Sequence, residues 1–436
     1  MIQNSTINKG VLLTETKLGY KETKLGWIPE DWTSPTISEV FQFINTTSFS
    51  RDQLNYDADS DLFYIHYGDI HATYKKPLLD FEIETKVPKL NSDVLLPNSI
   101  EYLKDGDVII ADASEDYKGV GEAIELTNLN GKKAISGLHT FALRDKEDLT
   151  VEGFRTYIFK NPDVKKALKT IATGSKVYGI SKGNIQKFKI VLPTLPEQQK
   201  IVSILETWDK AIAAQEKLIV KKQILKNGLM QQLLTGKKRF PGFTDEWEEK
   251  SFRDFTKINQ GLQIPISKRN IENIPNSYFY ITNEFLRKDS NYKYYILNPS
   301  ESVKCSEDDI LMTRTGNTGM VVTGVNGVFH NNFFKISYQK NRVNKQFLVY
   351  ILNSDRIQYT IKKLAGTSTI PDLNHSEFYG ITIKLPSLKE QLIISDTMRN
   401  SDLELFSLKL KKEKLIKQKQ GLIQQLLTGE KRVKIN

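Results

Sequence analysis

The sequence contains one long helical pattern twice. The stretch Leu192 to Arg239 recurs without a gap, 193 residues later, as Leu385 to Arg432. Both copies begin with LP-x-L-x-EQ and end with QQLLTG-x-KR, and between these ends apolar residues return at alternating steps of four and three. An apolar period of 3.5 residues is typical of a helix that pairs with another helix. The pattern therefore predicts two long helices, each roughly 60 Å long at about 1.5 Å per residue.

The apolar residues of this period are our candidates for helix pairing and for the docking of partner proteins. They are Ile201, Leu205, Trp208, Ile212, Leu229 and Leu233 in the first copy and Ile394, Met398, Leu405, Leu408, Leu415, Leu422 and Leu426 in the second. Polar residues interrupt the period at Gln215, Lys222, Lys226, Ser401, Lys412 and Lys419. We expect these breaks to weaken a pure two-stranded coiled coil, and they leave open whether the polar positions face a partner.

Each helical pattern follows a globular stretch, so the chain consists of two repeats. The stretches begin with related segments, GWIPEDW ending at Trp32 and PGFTDEW ending at Trp247. An internal two-fold axis across the helices would make them antiparallel. We predict a mixed α+β (α/β) fold: two pseudo-symmetric globular domains separated by a pair of long antiparallel coiled-coil helices. The alternative is a duplicated domain whose helices stabilise a single body.

The predicted boundaries follow from the repeat. They are a loose N-terminal arm at 1–26, a first domain at 27–191, a first helical spacer at 192–239, a second domain at 240–384 and a second helical spacer at 385–436.

The repeat continues inside the globular stretches. The segment Asp105–Ser114 corresponds to Glu307–Gly316, and Gly137–Arg144 corresponds to His330–Ser337. All four segments predict a short strand, and both segments of the first pair end in a polar loop. The segments ISKGNIQKFKIVLP and LNHSEFYGITIKLP each predict a strand that leads into the long helix.

Positive charge is concentrated in matched places. The chain has a net charge of +10, and its two helical segments hold nine basic against four acidic residues and ten against six. Arg155 to Val191 contains nine basic residues against Asp163 alone, and Lys335 to Pro371 contains seven against Asp355 alone. Solvated surface explains most lysine runs taken singly. Because these runs recur at matched distances before each helix, they favour a face that binds the phosphates of DNA.

Length and composition exclude several classes. A chain of 436 residues suggests two to four domains, and 39% hydrophobic with 26% charged residues is typical of a soluble protein with a core. The single Cys305 excludes an internal disulfide and a Cys-rich zinc site. The polar N-terminus has no signal-peptide pattern and no run is long enough to span a membrane. We therefore expect a cytoplasmic protein without a membrane partner.

The sequence carries no duplicated catalytic set. Asn331 to Phe334 imitates the loop of an amino-methyltransferase but lacks its prolines, and Asp80, Glu84 and Lys86 fit the pattern of a metal-dependent nuclease only loosely. Surface or hydrogen-bonding roles are expected for the scattered histidines His66, His71, His139, His330 and His375. The duplicated parts are scaffold and basic surface, which favours a protein that reads its target and binds no metal.

The duplicated LP-x-L-x-EQ and QQLLTG-x-KR motifs, each preceded by a divergent globular stretch, resemble the specificity subunit of type I restriction–modification enzymes. The resemblance covers nearly all of the chain from about Lys24. It implies two target-recognition domains, each reading one half of a bipartite sequence in double-stranded DNA. It also implies helices that set the gap between the halves and dock two modification (methyltransferase) subunits, with restriction (endonuclease and translocase) subunits joining the assembly.

The resemblance implies that this chain supplies no catalytic residue and binds no cofactor. S-adenosylmethionine, ATP and magnesium are expected on the partner subunits. Part of the apolar surface of each helix is then reserved for the modification subunit.

Base edges are read by polar side chains on loops, while phosphate contacts position them. Polar and basic residues in loops beside the basic stretches are therefore our candidates for DNA contact. They are Ser114, Lys118, Ser175, Lys176 and Tyr178 in the first domain and Arg314, Thr315, Asn317, Thr367, Ser368 and Thr369 in the second.

Two other functions remain open at this point. A duplicated coiled-coil scaffold would assemble partners without reading DNA, and the near-neutral globular stretches favour it. A single-chain nuclease acting through Asp80, Glu84 and Lys86 would cut DNA without partners.

Overall fold

The chain divides into two units, each of which contains both sheets and helices, as the sequence predicts. In the computed structural model, unit 1 consists of Met1–Ala214 and Lys412–Asn436, and unit 2 consists of Gln215–Lys411. The structure describes residues 17–56, 60–74, 76–116, 119–174, 177–287, 293–366 and 370–435.

The strands of unit 1 are short. They are β1 Tyr20–Thr23, β2 Gly26–Pro29, β3 Phe41–Ile44, β4 Leu54–Asn55, β5 Leu62–Ile65, β6 Leu78–Asp80, β7 Lys89–Leu90, β8 Val108–Ala111, β9 Ala113–Ser114, β10 Ala123–Thr127, β11 Lys133–Ser136, β12 Thr140–Asp145 and β13 Tyr178–Gly179. They form the sheets β3-β12-β8-β10-β6 and β11-β5-β7-β4 and the two-stranded pairs β1-β2 and β13-β9. Only the β10/β6 and β11/β5 pairs among these described strands are parallel.

Helices cover and extend these sheets. They are α1 Ile37–Val40, α2 Tyr67–Ala72, α3 Arg155–Ile158, α4 Pro162–Ile171, α5 Lys182–Lys187 and the long α6 Leu195–Leu234, whose C-terminal half belongs to unit 2. Asn161 caps α4 by accepting hydrogen bonds from Asp163 and Val164, and Pro162 occupies the first helical position, where its missing N–H costs nothing.

Unit 2 follows the same plan. Its strands are β14 Glu248–Ser251, β15 Thr256–Gln260, β16 Ser277–Ile281, β17 Tyr295–Leu297, β18 Lys304–Cys305, β19 Ile310–Thr313, β20 Val321–Val322, β21 Gly327–Phe329, β22 Phe333–Tyr338 and β23 Thr382–Leu385. Its helices are α7 Lys345–Leu352, α8 Asp355–Leu364, α9 His375–Gly380 and the long α10 Leu388–Leu427, whose C-terminal part belongs to unit 1. The sheets are β15-β22-β19-β20, β17-β16-β21-β18 and the pair β14-β23.

The long helices run antiparallel within each unit. In unit 1, Asp209 of α6 accepts hydrogen bonds from Lys419 of α10, both at 2.6 Å. In unit 2, Gln215 donates to the carbonyl oxygen of Leu408 at 3.0 Å, and further along α6 Lys226 pairs with Asp402. As the residue number rises on one helix it falls on the other. Each unit is therefore completed by a helical segment from the other repeat.

The residues proposed for helix pairing, and the polar residues that interrupt them, are all buried or half-buried. Ile201, Leu205 and Leu426 belong to the core of unit 1, which is centred on the fully buried Trp32. Leu233, Ile394 and Met398 belong in the same way to the core of unit 2.

The duplicated motifs build one clamp in each unit. In unit 1, Glu197 accepts hydrogen bonds from the indole of Trp32 and from the guanidinium of Arg432. In unit 2, Glu390 accepts the equivalent bonds from Trp247 and Arg239. The glutamate of LP-x-L-x-EQ, the arginine of QQLLTG-x-KR and the tryptophan that ends each related opening segment therefore meet in each unit, with the buried carboxylate of the glutamate at the centre.

The glutamine and glycine of the motifs are structural too. Gln198 binds the backbone at Val151, Leu149 and Pro193, and Gln391 binds that at Asn344, Arg342 and Pro386. Gly236 and Gly429 follow the two helices with φ of +71° and +73°. Glycine adopts this left-handed conformation without strain, which allows the chain to leave the helix.

Two local expectations differ from the structure. Residues 17–26, assigned to a loose arm, include most of the β1-β2 hairpin, and Tyr20 donates a hydrogen bond to the carbonyl oxygen of Gly429 at 2.7 Å. The rest of the arm lies outside the described residues. The segments expected to be strands begin instead with the short helices α5 and α9, because Ser181 and Asn374 cap their N-termini.

Among the helices that the structure describes, none combines the length and the apolar character needed to cross a membrane.

Candidate nucleic-acid interface

In unit 1, three chain segments meet where β8 ends. The backbone N–H of Asp112 donates to the carbonyl oxygen of His139 at 3.0 Å, and the N–H of Ile180 donates to the carbonyl oxygen of Asp112 at 2.8 Å. Asp112 is thereby fixed between the turn that precedes β12 and the segment that follows β13. We call Asp112, His139 and Ile180 the strand-end frame of unit 1.

The frame of unit 1 presents a carboxylate beside imidazole and phenol rings. His139 Nδ1 lies 3.4 Å from Asp112 Oδ1, and the ring of Tyr67 meets that of His139 edge-on at 5.3 Å. Burial raises the pKa of the Asp112 carboxyl, although His139 acts in the opposite direction. His139 has half of its side chain exposed (51%), so this group faces solvent.

Unit 2 has the same frame at the end of β19. The N–H of Arg314 donates to the carbonyl oxygen of Asn332 at 2.7 Å, and the N–H of Leu373 donates to that of Arg314 at 2.9 Å. Arg314, Asn332 and Leu373 are therefore the strand-end frame of unit 2. Aligning the repeats places Asp112 opposite Arg314 and His139 opposite Asn332.

Side chains around the second frame form a polar cluster. Asp372 accepts hydrogen bonds from the guanidinium of Arg314 and the hydroxyl of Thr315. Asn283 donates to the carbonyl oxygen of Thr315 at 3.0 Å. Asn331, beside the frame residue Asn332, donates to Gln263 at 3.0 Å.

Several buried atoms of this cluster lack a hydrogen-bond partner. Within the described residues these atoms are Arg314 Nε, Asn283 Oδ1 and Asn331 Oδ1, whereas only Ser34 and Tyr74 elsewhere in that part of the chain have such an atom. Buried polar groups without partners are rare in native folds and call for an explanation.

Two candidates of the first domain lie in the frame region, and the other three are not among the described residues. Ser114 is only 4% exposed, and its hydroxyl accepts a hydrogen bond from Asp116 N–H at 3.3 Å. Its burial argues against direct contact with a base, and Ser114 instead supports the loop. Tyr178 pairs with Ser114 across β13 and β9 and is half-buried. Lys118, Ser175 and Lys176 lie outside the described residues.

The candidates of the second domain are closer together. Arg314 and Thr315 share Asp372, and Asn317 is exposed two residues beyond them. Thr367, Ser368 and Thr369 lie outside the described residues. Sequence reasoning missed Asp112, His139, Asn283 and Asp372, although the aligned repeats already set Asp112 against Arg314.

Part of the first basic stretch is used inside the fold, so not all of its charges are available to phosphates. Arg155 is buried and binds Thr150 and the carbonyl oxygen of Gly106, while Lys160 and Lys165 both pair with Glu122. Burial lowers the pKa of Lys160 despite the attraction of Glu122. Within the described residues of the two basic stretches, the exposed basic residues are Lys166, Lys182, Lys187 and Lys189 in unit 1 and Lys340, Arg356, Lys362 and Lys363 in unit 2.

The long helices also expose apolar side chains. On α10, Leu403, Phe406 and Leu410 follow the spacing of one helix face and are 56%, 66% and 56% exposed. On α6, Val220 and Ile224 are 54% and 66% exposed. All five belong to unit 2.

Two carboxylates of the nuclease pattern accept hydrogen bonds from the backbone of their own segment. Asp80 accepts a hydrogen bond from Glu82 N–H at 3.0 Å, and Glu84 accepts one from Lys86 N–H at 2.9 Å. Throughout the described ranges, no group of three or more His, Cys, Asp or Glu side chains is arranged to hold a metal ion.

Comparison with known proteins identifies relatives over nearly the whole chain. The type I restriction enzyme MjaVIII specificity subunit of Methanocaldococcus jannaschii is 25% identical over 440 residues, which cover 91% of this chain and 98% of that protein. The putative type I restriction enzyme MjaX specificity subunit of the same organism is 25% identical over 441 residues, covering 95% and 97%.

Solved structures share the fold. A chain from a structure of complex assembly and conformational transition of the type I R-M system has a TM-score of 0.64 at 16% identity, covering 93% of this chain and 99% of that one. The HsdS subunit from Thermoanaerobacter tengcongensis has a TM-score of 0.51 at 16% identity, covering 93% and 98%.

The family model of the type I restriction modification DNA specificity domain matches residues 29–222 and 244–418. Each match spans one globular stretch and much of the long helix that follows it. Because these two matches cover most of the chain, the protein belongs to the family of type I restriction–modification specificity subunits.

Proposed function

We propose that this specificity subunit reads a bipartite, gapped sequence in double-stranded DNA, with each unit reading one half. The observation that carries this proposal is the strand-end frame. Both units hold a charged residue, Asp112 or Arg314, by the same backbone hydrogen bonds. A shared scaffold with different side chains at its tip is what two readers of different sequences require.

Exposed basic residues support the same function. Four lysines in unit 1 and four basic residues in unit 2 stay exposed within the described parts of the two basic stretches. Such side chains contact phosphates and position the protein on the duplex, while base contacts supply specificity.

The helices are proposed to dock two methyltransferase subunits. The exposed apolar face of Leu403, Phe406 and Leu410, together with Val220 and Ile224, supports this part of the proposal. Apolar side chains that recur on one exposed helix face are costly in water and are favourable in an interface.

Catalysis is proposed to belong to the partner subunits. The methyltransferase subunits would bind S-adenosylmethionine, and the restriction subunits would bind ATP and magnesium. This chain would contribute the DNA sequence and the docking surface, with no catalytic residue of its own.

A genome-wide map of methylated bases tests the DNA-reading role. The map is recorded in the source cell with and without this gene, while expression of the methyltransferase subunit is verified. Loss of methylation at one gapped, two-part motif is expected. An unchanged map would favour the coiled-coil scaffold that assembles partners without reading DNA.

Docking is tested by co-purification of the methyltransferase subunit with the full-length chain. The variant Phe406→Glu is expected to lose the partner, because a charge at the centre of an apolar interface must be desolvated. Leu95→Glu is the matched control, since Leu95 is 92% exposed in a loop of unit 1. Equal recovery of the partner with both variants would contradict docking at this face.

A further inference from the structure

We propose that the charged residue of each strand-end frame selects a base of its half-site. Asp112 selects a base that presents an amino hydrogen in the major groove, cytosine or adenine, and Arg314 selects guanine. This inference rests on the proposed DNA-reading function and adds the residues and the base chemistry to it.

The first step is that the two frames are equivalent in backbone structure. The strand pair β8/β12 places Ala111 opposite Thr140, and β19/β22 places Thr313 opposite Phe333. Asp112 and Arg314 each follow one residue later. The backbone N–H of each donates to the carbonyl oxygen of the residue that immediately precedes the partner strand.

The surrounding chain matches as well. Gly137 N–H donates to the carbonyl oxygen of Ile65 at 2.9 Å, and His330 N–H donates to that of Ile281 at 2.9 Å. The same two residues form parallel bridges with Thr47 and Leu262. The frame is therefore conserved between the units in geometry while its side chains differ.

The second step is that the side chains at the matched position carry opposite charges, negative on Asp112 and positive on Arg314. A carboxylate only accepts hydrogen bonds at neutral pH, so Asp112 suits the amino groups of cytosine and adenine. A guanidinium only donates, and its planar fork suits O6 and N7 of guanine. Because the charges are opposite, the two units suit bases that present different hydrogen-bonding groups in the major groove.

The third step is that each charged group has a polar side chain beside it that orients it. His139 lies beside Asp112, and Asp372 binds Arg314 at 2.5 Å. The side chain of Asp372 is 43% exposed, whereas that of Arg314 is 15% exposed. Asp372 therefore acts as a positioning residue that fixes the guanidinium of Arg314.

The unpartnered atoms point to a ligand at the second frame. Arg314 Nε has no hydrogen-bond partner among the described residues, and neither have Asn283 Oδ1 and Asn331 Oδ1. Asn283 contacts the Thr315 backbone, and Asn331 adjoins the frame residue Asn332. Three buried, unsatisfied groups in one cluster leave donor and acceptor capacity next to the frame.

The experiment uses the full-length chain co-expressed with its methyltransferase subunit in cells that lack this modification. Methylated bases are mapped across the genome for the unchanged chain and for the variants Asp112→Asn and Arg314→Gln. Lys24→Gln is the control, since Lys24 is exposed in the turn between β1 and β2 and lies outside the frame and both basic stretches.

We expect each frame variant to lose its preference for one base at one position, and only in the half of the motif that its unit reads. Discrimination at that position should fall roughly 10- to 100-fold, the range for a lost side-chain contact to a base edge. Asp372→Asn should lower methylation overall without changing the preferred base. Lys24→Gln should leave the motif unchanged.

Two outcomes separate this inference from the proposed function. If the unchanged chain directs a two-part motif and both frame variants retain every position of it, the inference is wrong and the proposed function stands. If the unchanged chain directs no motif, the proposed function fails and the inference with it.

A second measurement uses the unchanged chain and altered DNA, so it tests the inference even if the variants fail to fold. Binding of the assembled methyltransferase is measured on its site with each guanine replaced in turn by 7-deazaguanine, which lacks N7. Adenines and cytosines are replaced in turn by analogues without the amino group. One guanine in the unit 2 half and one amino-bearing base in the unit 1 half should each weaken binding at least 10-fold, and uniform tolerance in either half would overturn the inference.

Discussion

Arg432 donates hydrogen bonds to both carboxylate oxygens of Glu197, at 2.7 and 2.9 Å, although 235 positions separate the two residues. Glu197 is 1% exposed and also accepts a hydrogen bond from Trp32 at 2.6 Å. A carboxylate that leaves water must recover its hydrogen bonds within the protein. The three residues therefore recur together in the duplicated motifs because each depends on the others.

The two clamps should respond unequally to loss of their carboxylate. Without Glu197, Arg432 still binds Asp31 at 2.7 Å, whereas Arg239 without Glu390 retains the carbonyl oxygen of Asp245. We expect Glu197→Gln to lower the free energy of unfolding by about 1–2 kcal/mol, and Glu390→Gln to lower it more. Urea unfolding of the full chain measures both effects.

A matched control for the clamp is Glu206→Gln. Glu206 lies on α6 with half of its side chain exposed and pairs only with Lys210 at 3.7 Å. Its replacement should change stability little. A smaller loss for Glu390→Gln than for Glu197→Gln would contradict the role of Asp31.

Four of the polar residues that interrupt the apolar period have partners across the helix pair, namely Gln215, Lys222, Lys226 and Lys419. The side chain of Lys419 is 10% exposed and that of its partner Asp209 is 51% exposed. We expect Asp209→Asn to destabilise the chain by about 1–2 kcal/mol, because it leaves a covered ammonium without its counter-ion. Thermal unfolding measures this loss.

The double variant separates charge from packing at the same site. Replacing Lys419 by leucine in the Asp209→Asn background should restore most of the lost stability, since a covered ion pair can be replaced by apolar side chains. Failure of the double variant to recover would show that Lys419 has a further role in this helix pair.

Glu125 should make unit 1 less stable as the pH rises. Burial raises the pKa of its carboxyl to about 7, despite hydrogen bonds from the N–H groups of Gly153 and Thr156. The folded state keeps a proton that unfolded glutamate, with an ordinary pKa of 4.5, releases. The resulting stabilisation is complete below pH 4.5 and is lost as the pH rises through about 7.

We expect the free energy of unfolding to fall by up to about 3 kcal/mol over that window from this residue alone. Urea unfolding between pH 4.5 and 8 measures the slope, and Glu125→Gln should flatten it. Glu122→Gln is the control: burial acts to raise the pKa of Glu122, but Lys165 and Lys160 bring it below the ordinary value. A slope that Glu125→Gln leaves unchanged would contradict this prediction.

Neighbouring lysines on α4 should differ in their effect on DNA binding. Lys166 is exposed, whereas Lys165 pairs with Glu122. The logarithm of the DNA-binding constant falls linearly with the logarithm of the salt concentration. If Lys166 contacts a phosphate, Lys166→Gln should make this slope less steep by about 1. Lys165→Gln should leave the slope unchanged. Binding of the complex with the methyltransferase, titrated at several salt concentrations, distinguishes the two, and equal slopes would remove Lys166 from the interface.

The sequence predicted the mixed fold and the paired long helices because these depend on a local, repeated pattern. The 3.5-residue period needs only neighbouring residues to be recognised. The clamp was not predicted, although its glutamate, arginine and tryptophan all belong to the duplicated segments of the sequence. Their contacts join residues such as Trp32 and Glu197 that are 165 positions apart, and no periodicity carries that information.

The candidate interface was predicted only in part for a related reason. Arg314 and Thr315 were recognised as polar loop residues, but Asp112 was not, because an acidic side chain opposes the expectation of a basic DNA-binding face. Arg155 was counted as basic surface, yet its side chain is only 9% exposed and lies 3.8 Å from the buried Asp145. Burial decides between these roles, and burial depends on the tertiary fold.

Unit 1 is built from two separate segments of the chain, and this determines the order in which the chain can complete its fold during translation. Unit 1 needs the segment from Lys412 onward, whereas unit 2 is the continuous stretch Gln215–Lys411. The ribosome therefore finishes all of unit 2 before it supplies Leu426, Leu427 and Arg432 to the core and clamp of unit 1. A nascent chain that stops short of Lys412 can complete unit 2 but leaves unit 1 with an open core.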